Sequence, residues 1–442
     1  MTSGRTTLQW PLGMDQFKPT ANLLKILSEL YRHDVHPPLY FWALALWRMA
    51  FGNSLEVARM FSALFVFATI GLLYRYAIRL RLRWPFVPAV IYAASAAGLR
   101  YAYNARPYAM ATFLIVLTLY LAERKSKWTG LCAAACVATH YFAGLCVGSI
   151  ILVECLQQWK SDRRWSVLTV SSFALFCSPL ALLVTRHVAA RPDQFPGFGN
   201  FRKEIDTIVG GALRGSLPGS TLDSFTYLFF AGGLLALVGG IYALRRKFNT
   251  VPLAYASFLG AFLLTAVVTN KSIQKMPIDY YLGIGAPFFA VLLWFAIDFI
   301  PVIAGPVIAL TIVVGSVTAT PMMVPRDYRK MMTKIRSECD HCAVVVSEGS
   351  GAAVPACTLY EAKGLDVYLL RISDLPDGMI QKIGKNRLIY FVPANESSSM
   401  PMEREVVREF AAVPEDDFFK IDLTRVPADK SMPNSRRPQS TE

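Results

Sequence analysis

The sequence predicts an all-α polytopic membrane bundle of about ten transmembrane helices, followed by a small C-terminal extracytoplasmic α/β domain. Of its 442 residues, 54% are hydrophobic and 17% are charged, whereas soluble domains average about 25% charged residues. Long apolar runs recur between residues 60 and 320. After Pro321 the composition changes to short segments in which helical and strand-like patterns alternate, which is typical of an α/β domain with a mostly parallel sheet.

These patterns divide the chain into four parts. We expect residues 1–59 to form an extracytoplasmic segment with interfacial helices, and residues 60–320 to form the transmembrane bundle. Residues 326–425 are expected to form the extracytoplasmic α/β domain. Residues 426–442 are rich in proline, serine and charged side chains, so we expect them to be disordered.

The first part contains an apolar helix that is too short to cross a membrane. His36 precedes two prolines, which suit the first turn of a helix, and the apolar run ends near Phe51. A membrane-spanning helix needs about 20 residues. We therefore predict a helix lying at the membrane surface, with Trp42 and Trp47 at the level of the lipid headgroups.

The transmembrane candidates follow in order. They cover residues 60–78, 86–100, 107–122, 128–140, 141–158, 165–186, 223–244, 251–269, 281–299 and 302–320. Basic residues cluster in alternate turns, which the positive-inside rule assigns to the cytoplasm: Arg79/Arg81/Arg83, Arg124/Lys125/Lys127, Lys160/Arg163/Arg164 and Arg245/Arg246/Lys247. The net charge of +14 is therefore explained by orientation signals, and nucleic acid is not an expected partner. The loops near residues 100–106, 187–222 and 270–280 then lie on the outer face, together with everything after residue 320.

The N-terminal segment presents a topological problem. About 59 largely polar residues would have to cross the membrane with no helix ahead of them. We expect that the true start lies upstream and that the sequence lacks its first transmembrane helix. The alternative is that the N-terminal segment is translocated as it stands.

An arginine on the outer face is the first candidate for binding a phosphate. Arg106 lies beside Tyr103, Asn104 and Tyr108, and Pro107 begins the next helix. A guanidinium group is permanently charged and pairs with phosphate oxygens, and a helix N-terminus also favours an anion. The alternative is an arginine that reaches up to the headgroups without binding a substrate.

Further polar residues at membrane depth or on the outer face are weaker candidates. His140 lies between two short apolar runs, where an ionisable residue is either functional or hydrogen-bonded to backbone. Lys275, Asp279 and Tyr280 precede another helix, next to Tyr281. The lysine would counter a phosphate and the aspartate would bind sugar or act as a base, although a solvated loop has the same composition. No cofactor is indicated, no metal ligands are assigned, and a divalent metal remains open.

The residues resemble a known family. HPPLYFWALALWRMAFGNSLEVARMFSALFVFATIGLLYRYAIRL (36–80) and YAYNARPYA (101–109) resemble the early segments of the polyprenyl-phosphate-dependent glycosyltransferases of the GT-C superfamily. PIDYYLGIGAPFFAVLL (277–293) and DYRKMMTKIRS (327–337) are more weakly similar to later segments. The superfamily includes protein mannosyltransferase-like enzymes and bacterial lipopolysaccharide-core sugar transferases. The resemblance covers most of residues 35–350.

The resemblance implies an enzyme of the bacterial inner membrane that takes a sugar from a polyprenyl-phosphate donor. The acceptor would be a glycan, lipid or protein of the cell envelope, reached on the outer face among the membrane lipids. A carboxylate in the first external loop would act as general base, and Arg106 would bind the donor phosphate. His36 matches the position ahead of the double proline.

The resemblance is incomplete where the base is expected. The family carries an acidic pair before the double proline, and this chain has only Asp15, Glu29 and Asp34 upstream of His36. Asp15, Asp34 and His36 are therefore the catalytic candidates. If the base instead lies on a missing first helix, the chain as written is an inactive homologue. A transporter or flippase for a lipid-linked glycan is the other alternative, since it too needs many helices and external cationic loops.

Overall fold

The computed structural model describes most of the predicted bundle and five strands near the C-terminus. The described residues are 22–33, 36–52, 54–81, 83–190, 200–217, 222–245, 250–269, 278–299, 328–338, 342–347, 366–370, 388–392, 413–415 and 418–422. The chain forms two compact units, one of residues 19–321 and the other of residues 1–18 together with 322–442.

Fourteen helices are described in the larger unit. They are α1 (Leu23–His33), α2 (Leu39–Phe51), α3 (Leu55–Arg79), α4 (Val87–Ala94), α5 (Ala96–Tyr103), α6 (Tyr108–Glu123), α7 (Thr129–Thr139), α8 (Tyr141–Gln158), α9 (Arg163–Ala190), α10 (Phe201–Ser216), α11 (Leu222–Arg245), α12 (Thr250–Thr269), α13 (Ile278–Gly283) and α14 (Ala286–Phe299).

The unit is a polytopic membrane bundle. Among the described residues, three helical segments are long and apolar enough to cross a membrane: Glu56–Arg79, Tyr141–Gln158 and Arg163–Thr185. In six further helices, including α11 and α12, the apolar stretch that the structure fully describes is shorter than 18 residues. The predicted span 302–320 lies outside the described residues, so the total of about ten spans stays a prediction.

The short helix α2 is fixed by its two tryptophans. The indole N–H of Trp42 donates to the Leu23 carbonyl oxygen at 3.0 Å, which ties α2 to α1. The indole N–H of Trp47 donates to the Val57 carbonyl oxygen at 2.9 Å, which ties α2 to α3. Both rings are half-buried, so each N–H needs a protein acceptor. The polar atoms of the two rings thus bind neighbouring helices, and their position at the headgroup level stays a prediction.

The span predicted at 86–100 is divided into α4 and α5 at Ser95. Ser95 has an extended backbone (ψ 154°), and its hydroxyl donates to the Tyr92 carbonyl oxygen at 2.7 Å and accepts from the Gly98 N–H at 3.0 Å. The hydroxyl thus caps both helix ends. A side chain at Gly98 would collide with the Tyr92 backbone, so the tight break requires glycine there.

The predicted external loop 187–222 contains an additional helix, α10. The Asn200 side chain caps it by accepting from the Arg202 N–H at 2.9 Å. The backbone N–H of Ala96 donates to the Leu217 carbonyl oxygen at 3.2 Å, which joins the end of α10 to the start of α5. Three glycines lie within its sequence, FRKEIDTIVGGALRGS, and their low helix propensity conceals the helix from sequence inspection.

The span predicted at 281–299 also begins with a break. The short helix α13 ends at Gly283, and α14 begins at Ala286. Between them the Gly285 N–H donates to the Leu282 carbonyl oxygen at 2.9 Å. The sequence LGIGAP places two glycines at the break. A Cβ on Gly283 would lie 2.6 Å from the Tyr101 hydroxyl oxygen, so α13 and α5 approach closely there.

The smaller unit contains a five-stranded sheet and one described helix. The strands are β1 (Ala343–Ser347), β2 (Asp366–Leu370), β3 (Leu388–Val392), β4 (Val413–Glu415) and β5 (Phe418–Asp422), and the helix is α15 (Tyr328–Glu338). The strand order is β2-β1-β3-β5-β4.

The sheet is mixed. β1 is parallel to both β2 and β3, whereas β5 is antiparallel to both β3 and β4. The prediction of a mostly parallel sheet is thus correct for only one half of it. The unpredicted strand β4 has three residues and contains Pro414. It lies at the edge of the sheet, where a proline removes no internal ladder bond.

One charged residue connects α15 with the sheet. The Glu338 carboxylate accepts from the Lys420 ammonium group at 3.0 Å and from the Tyr390 hydroxyl at 2.8 Å. Both bonds favour the ionised form, so Lys420 first and then Tyr390 lower the pKa of Glu338 below its usual value.

Candidate functional site

His140 lies at the break between α7 and α8. Its backbone is extended (φ −159°, ψ 121°), and its N–H caps α7 by donating to the Cys136 carbonyl oxygen at 3.0 Å. The side chain is only 3% exposed. Its Nδ1 atom has no hydrogen-bond partner among the described residues. A buried polar atom without a partner is costly, which makes Nδ1 of His140 a candidate for contact with a ligand.

Aromatic rings from several helices surround His140. The distances from its ring centroid are 5.0 Å to Tyr108, 5.6 Å to Tyr281, 6.1 Å to Phe142 and 6.4 Å to His36. We call His36, Tyr101, Tyr108, His140, Phe142 and Tyr281 the histidine–aromatic cluster. Its members come from the segment before α2 and from α5, α6, α8 and α13, together with the α7–α8 break. Residues from distant parts of the sequence are thus brought together.

Packing behind the cluster fixes the orientation of its rings. Tyr101 stacks on Tyr108 with centroids 5.4 Å apart and an interplanar angle of 20°. Phe142 lies 4.8 Å from Tyr281 and stacks on Phe262 of α12 at 5.2 Å. Tyr101 is able to reach this position because Gly283 carries no side chain. The cluster is therefore built on helix ends and packed against a second layer of rings.

His36 enters the cluster from the N-terminal side. Its ring lies 6.0 Å from Phe41 of α2 and 6.4 Å from His140. The following Pro37 and Pro38 are buried, which fixes the chain where α2 begins. His36 and His140, both of which the sequence predicted as site residues, therefore lie next to each other.

Arg106 provides a positive charge beside the cluster. Its side chain is exposed, and its backbone N–H closes a tight turn by donating to the Asn104 carbonyl oxygen at 2.8 Å. Arg106 lies two residues before Tyr108, a member of the cluster, at the turn that leads into α6. An exposed cation and the rings of the cluster therefore share one neighbourhood.

Tyr103 belongs to a separate pair. The Arg59 guanidinium lies 4.4 Å from the centroid of the Tyr103 ring, a cation–π contact between α3 and α5. Arg59 was not identified from the sequence. A signal was present, because an arginine within the apolar sequence of α3 is a functional candidate by its location alone. Tyr101 belongs to the motif that contains Arg106 but was assigned no role, and Phe142 was missed, since aromatic residues in apolar helices are usually core residues.

Several predicted site residues are not placed. Asp15, Asp34 and Lys275 lie outside the described residues. Asp279 and Tyr280 belong to the backbone of α13, but their side chains lie outside the described part. Within the described ranges there is no group of three potential metal ligands. The structure therefore tests neither the predicted catalytic base nor a requirement for a metal.

The arrangement suits a small polar ligand that carries an anionic group. Ligand sites combine apolar and aromatic walls with a few convergent polar groups. Here the rings supply the walls, and the unpartnered Nδ1 atom of His140 and the exposed guanidinium of Arg106 supply polar contacts. The walls and the cation are thus both present in one region.

Comparison with known proteins gives a fold but no sequence family. No family model matches the chain, and no curated protein matches it. Among solved structures it is similar to ArnT from Cupriavidus metallidurans in the apo state, with a TM-score of 0.56 and 11% identity over 91% of this chain and 92% of that chain. It is also similar to ArnT from the same organism bound to undecaprenyl phosphate, with a TM-score of 0.50 and 15% identity over 90% and 89% of the two chains. At these identities the two likenesses show a shared fold and nothing finer.

Proposed function

We propose that the chain is an integral membrane glycosyltransferase that moves a sugar from a polyprenyl-phosphate donor to a cell-envelope glycan, lipid or protein on the outer face of the membrane. The observation that carries this proposal is the exposed Arg106 beside aromatic rings that enclose the unpartnered His140 nitrogen. The shared fold supports it, because one of the two similar structures holds undecaprenyl phosphate. The membrane would be the bacterial inner membrane, with the C-terminal domain outside the cytoplasm.

In this proposal Arg106 binds the donor phosphate. A guanidinium group forms paired hydrogen bonds with phosphate oxygens and keeps its charge. The start of α6 at Tyr108 adds the partial positive charge of a helix N-terminus next to the same arginine. Both groups would stabilise the negative charge that builds on the phosphate as the sugar departs.

The rings and the histidines would hold the sugar and the acceptor. Tyr108, Tyr281 and Phe142 form the apolar walls, and Nδ1 of His140 offers a hydrogen bond to a sugar hydroxyl. The acceptor oxygen attacks the anomeric carbon while the bond to the phosphate oxygen breaks, which inverts the configuration. Its proton passes to a carboxylate base within hydrogen-bond reach, for which Asp34 and Asp15 are the candidates.

A transferase assay with a matched arginine pair tests the proposal. The full chain is reconstituted in liposomes with a labelled polyprenyl-phosphate sugar and envelope extract as the acceptor source. We expect Arg106→Ala to lower transfer by about 100-fold or more, the usual effect of removing a group that stabilises charge in the transition state. Arg75→Ala is the control, since Arg75 is also exposed but lies near the C-terminal end of α3. Equal transfer by the two variants would remove Arg106 from this role.

One observation favours a second candidate, a transporter of lipid-linked glycans. Helix breaks at His140 and Gly283 lie at the histidine–aromatic cluster, and broken helices are typical of transporter sites. The two functions differ in product. A transporter moves labelled lipid-linked glycan across the liposome membrane without forming a new glycosidic bond. Movement without transfer to any envelope acceptor would therefore replace the transferase proposal.

A further inference from the structure

We propose that the end of the bundle opposite the histidine–aromatic cluster carries a binding site for anionic phospholipids. The site is formed by the turn between α6 and α7, the turn between α8 and α9, and the first residues of α9. We call it the basic platform, and its six exposed basic side chains are Arg124, Lys125, Lys127, Lys160, Arg163 and Arg164. This inference does not depend on the proposed function.

The two turns form one surface because specific contacts join them. The indole N–H of Trp165 at the start of α9 donates to the Ser126 carbonyl oxygen at 3.1 Å. Next to this bond, Gly130 of α7 packs so closely on α9 that a Cβ would lie 2.9 Å from the backbone nitrogen of Phe173. The Asp162 carboxylate is used locally, where it caps α9 by accepting from the Trp165 backbone N–H at 3.1 Å. The basic groups therefore stand on a fixed framework.

Aromatic rings hold three of the cations in place. In each pair a basic group lies over a neighbouring ring, which limits its motion without neutralising its charge. The distances to the ring centroids are 5.5 Å for Arg124 on Tyr120, 5.3 Å for Lys127 on Trp128 and 5.3 Å for Arg163 on Trp159. Trp128 is 56% exposed and Trp159 is 48% exposed. Exposed tryptophan beside lysine and arginine is the combination that membrane proteins place at the headgroup level.

An exposed apolar surface adjoins the basic platform. Leu152 and Leu156 of α8 and Val167 and Leu168 of α9 are 54%, 70%, 46% and 47% exposed. Only 11% of the most apolar stretch of α9, within Arg163–Thr185, is buried. This helix therefore lies at the periphery of the bundle. A ligand that matches both surfaces has an anionic head and apolar tails. This pairing favours a phospholipid over a free phosphate ion, which would use only the charged part.

The basic platform is far from the histidine–aromatic cluster. Helix α8 connects the two, running for 18 residues from Tyr141, next to His140, to Gln158. At 1.5 Å per residue the helix is about 27 Å long. Lipid binding at one end and sugar transfer at the other can therefore be measured separately.

The experiment compares two pairs of charge removals at the same end of the bundle. The full chain is placed in phosphatidylcholine nanodiscs with a small amount of spin-labelled phosphatidylglycerol or spin-labelled phosphatidylcholine. The platform variant is Lys127→Gln with Arg163→Gln. The control is Arg75→Gln with Arg81→Gln, whose side chains are exposed near the end of α3, and the Arg79–Glu123 ion pair of 3.8 Å places that end beside the end of α6.

At low salt we expect the preference for phosphatidylglycerol over phosphatidylcholine to fall in the platform variant. The expected decrease is about fivefold for each charge removed, the value for a basic group near an anionic surface. The control should keep most of the preference, and added inorganic phosphate should not displace the bound lipid. An unchanged preference in the platform variant would overturn the proposal. An equal loss in the control would also overturn it, because the lipid would then respond to basic residues spread around this end of the bundle. Displacement of the bound lipid by inorganic phosphate would overturn it as well. If the double variant misfolds, the single variant Lys127→Gln gives the same comparison against Arg75→Gln.

Discussion

Two adjacent glycines in α11 give a sharp test of the packing. A Cβ on Gly239 would lie 2.9 Å from the backbone nitrogen of Ala296 and from the Leu292 carbonyl carbon, and closer still to the Leu292 oxygen. A Cβ on Gly240 would meet only side-chain atoms, 3.8 Å away at Pro252 and 3.9 Å away at Leu292. The same substitution at the two positions should therefore have opposite effects.

The magnitudes follow from these distances. Carbon contacts are optimal near 3.5–4.0 Å, so Gly239→Ala must move α14 away by about 0.6 Å or more. Overpacking of this kind costs about 1–3 kcal/mol, and here the opposing atoms are backbone, which cannot rotate aside. Gly240→Ala has room and should gain about 0.5–1 kcal/mol from reduced backbone freedom in the unfolded chain. We expect the two variants to differ by about 2 kcal/mol or more.

Thermal unfolding of the purified protein in one detergent measures the difference. Gly239→Ala should melt several degrees below the unaltered protein (~2–4 °C for each kcal/mol), and Gly240→Ala should melt at or above it. Similar melting temperatures for the two variants would refute the close approach of α11 and α14. A lower value for Gly240→Ala alone would show that the helix is rotated from the described position.

Three further predictions concern other parts of the chain. Gly283→Ala should displace Tyr101, since the new Cβ would lie 2.6 Å from its hydroxyl oxygen, and sugar transfer should fall while donor binding, measured by equilibrium binding, persists. Tyr281→Phe should keep the ring contacts with the cluster and retain stability. Tyr281→Ala should lower the unfolding free energy by about 2 kcal/mol or more, because it leaves a cavity. Matching melting curves for these two variants would contradict this prediction. Because its pKa is lowered, Glu338 stabilises the fold above its unfolded pKa of about 4.3, and this stabilisation is lost as the pH falls through the lower folded value. Glu338→Gln should therefore flatten the decline of melting temperature in acid, and Lys420→Met should do the same; parallel curves would exclude the contribution.

The sequence was sufficient to predict the class of the fold. Apolar runs and proline positions located most of the helices, since the start of α6 after Pro107 and the break at His140 follow from local chemistry. The break at Ser95 was missed, because it depends on the close approach that Gly98 permits. Helix α10 was missed because its glycines lower the local propensity, and its contacts with the bundle come from distant residues.

The candidate site could be predicted only in part. His36, Arg106, Tyr108 and His140 were identified because proline, charge and depth in the membrane are visible in a sequence. Their convergence was not predictable, since it depends on the tertiary packing of helix ends. Tyr103 shows the opposite case, because its place beside Arg106 in the sequence suggested a shared role, whereas its ring lies against Arg59.

Direct binding of the lipid carrier tests the central claim. Equilibrium binding of a polyprenyl phosphate to the purified full chain should weaken about 10- to 100-fold in Arg106→Ala, because a hydrogen bond to a charged group contributes about 1.5–3 kcal/mol. Arg75→Ala should bind like the unaltered protein. If Arg106→Ala binds the polyprenyl phosphate as tightly as Arg75→Ala does, the phosphate site is not beside the histidine–aromatic cluster and the proposed mechanism is contradicted.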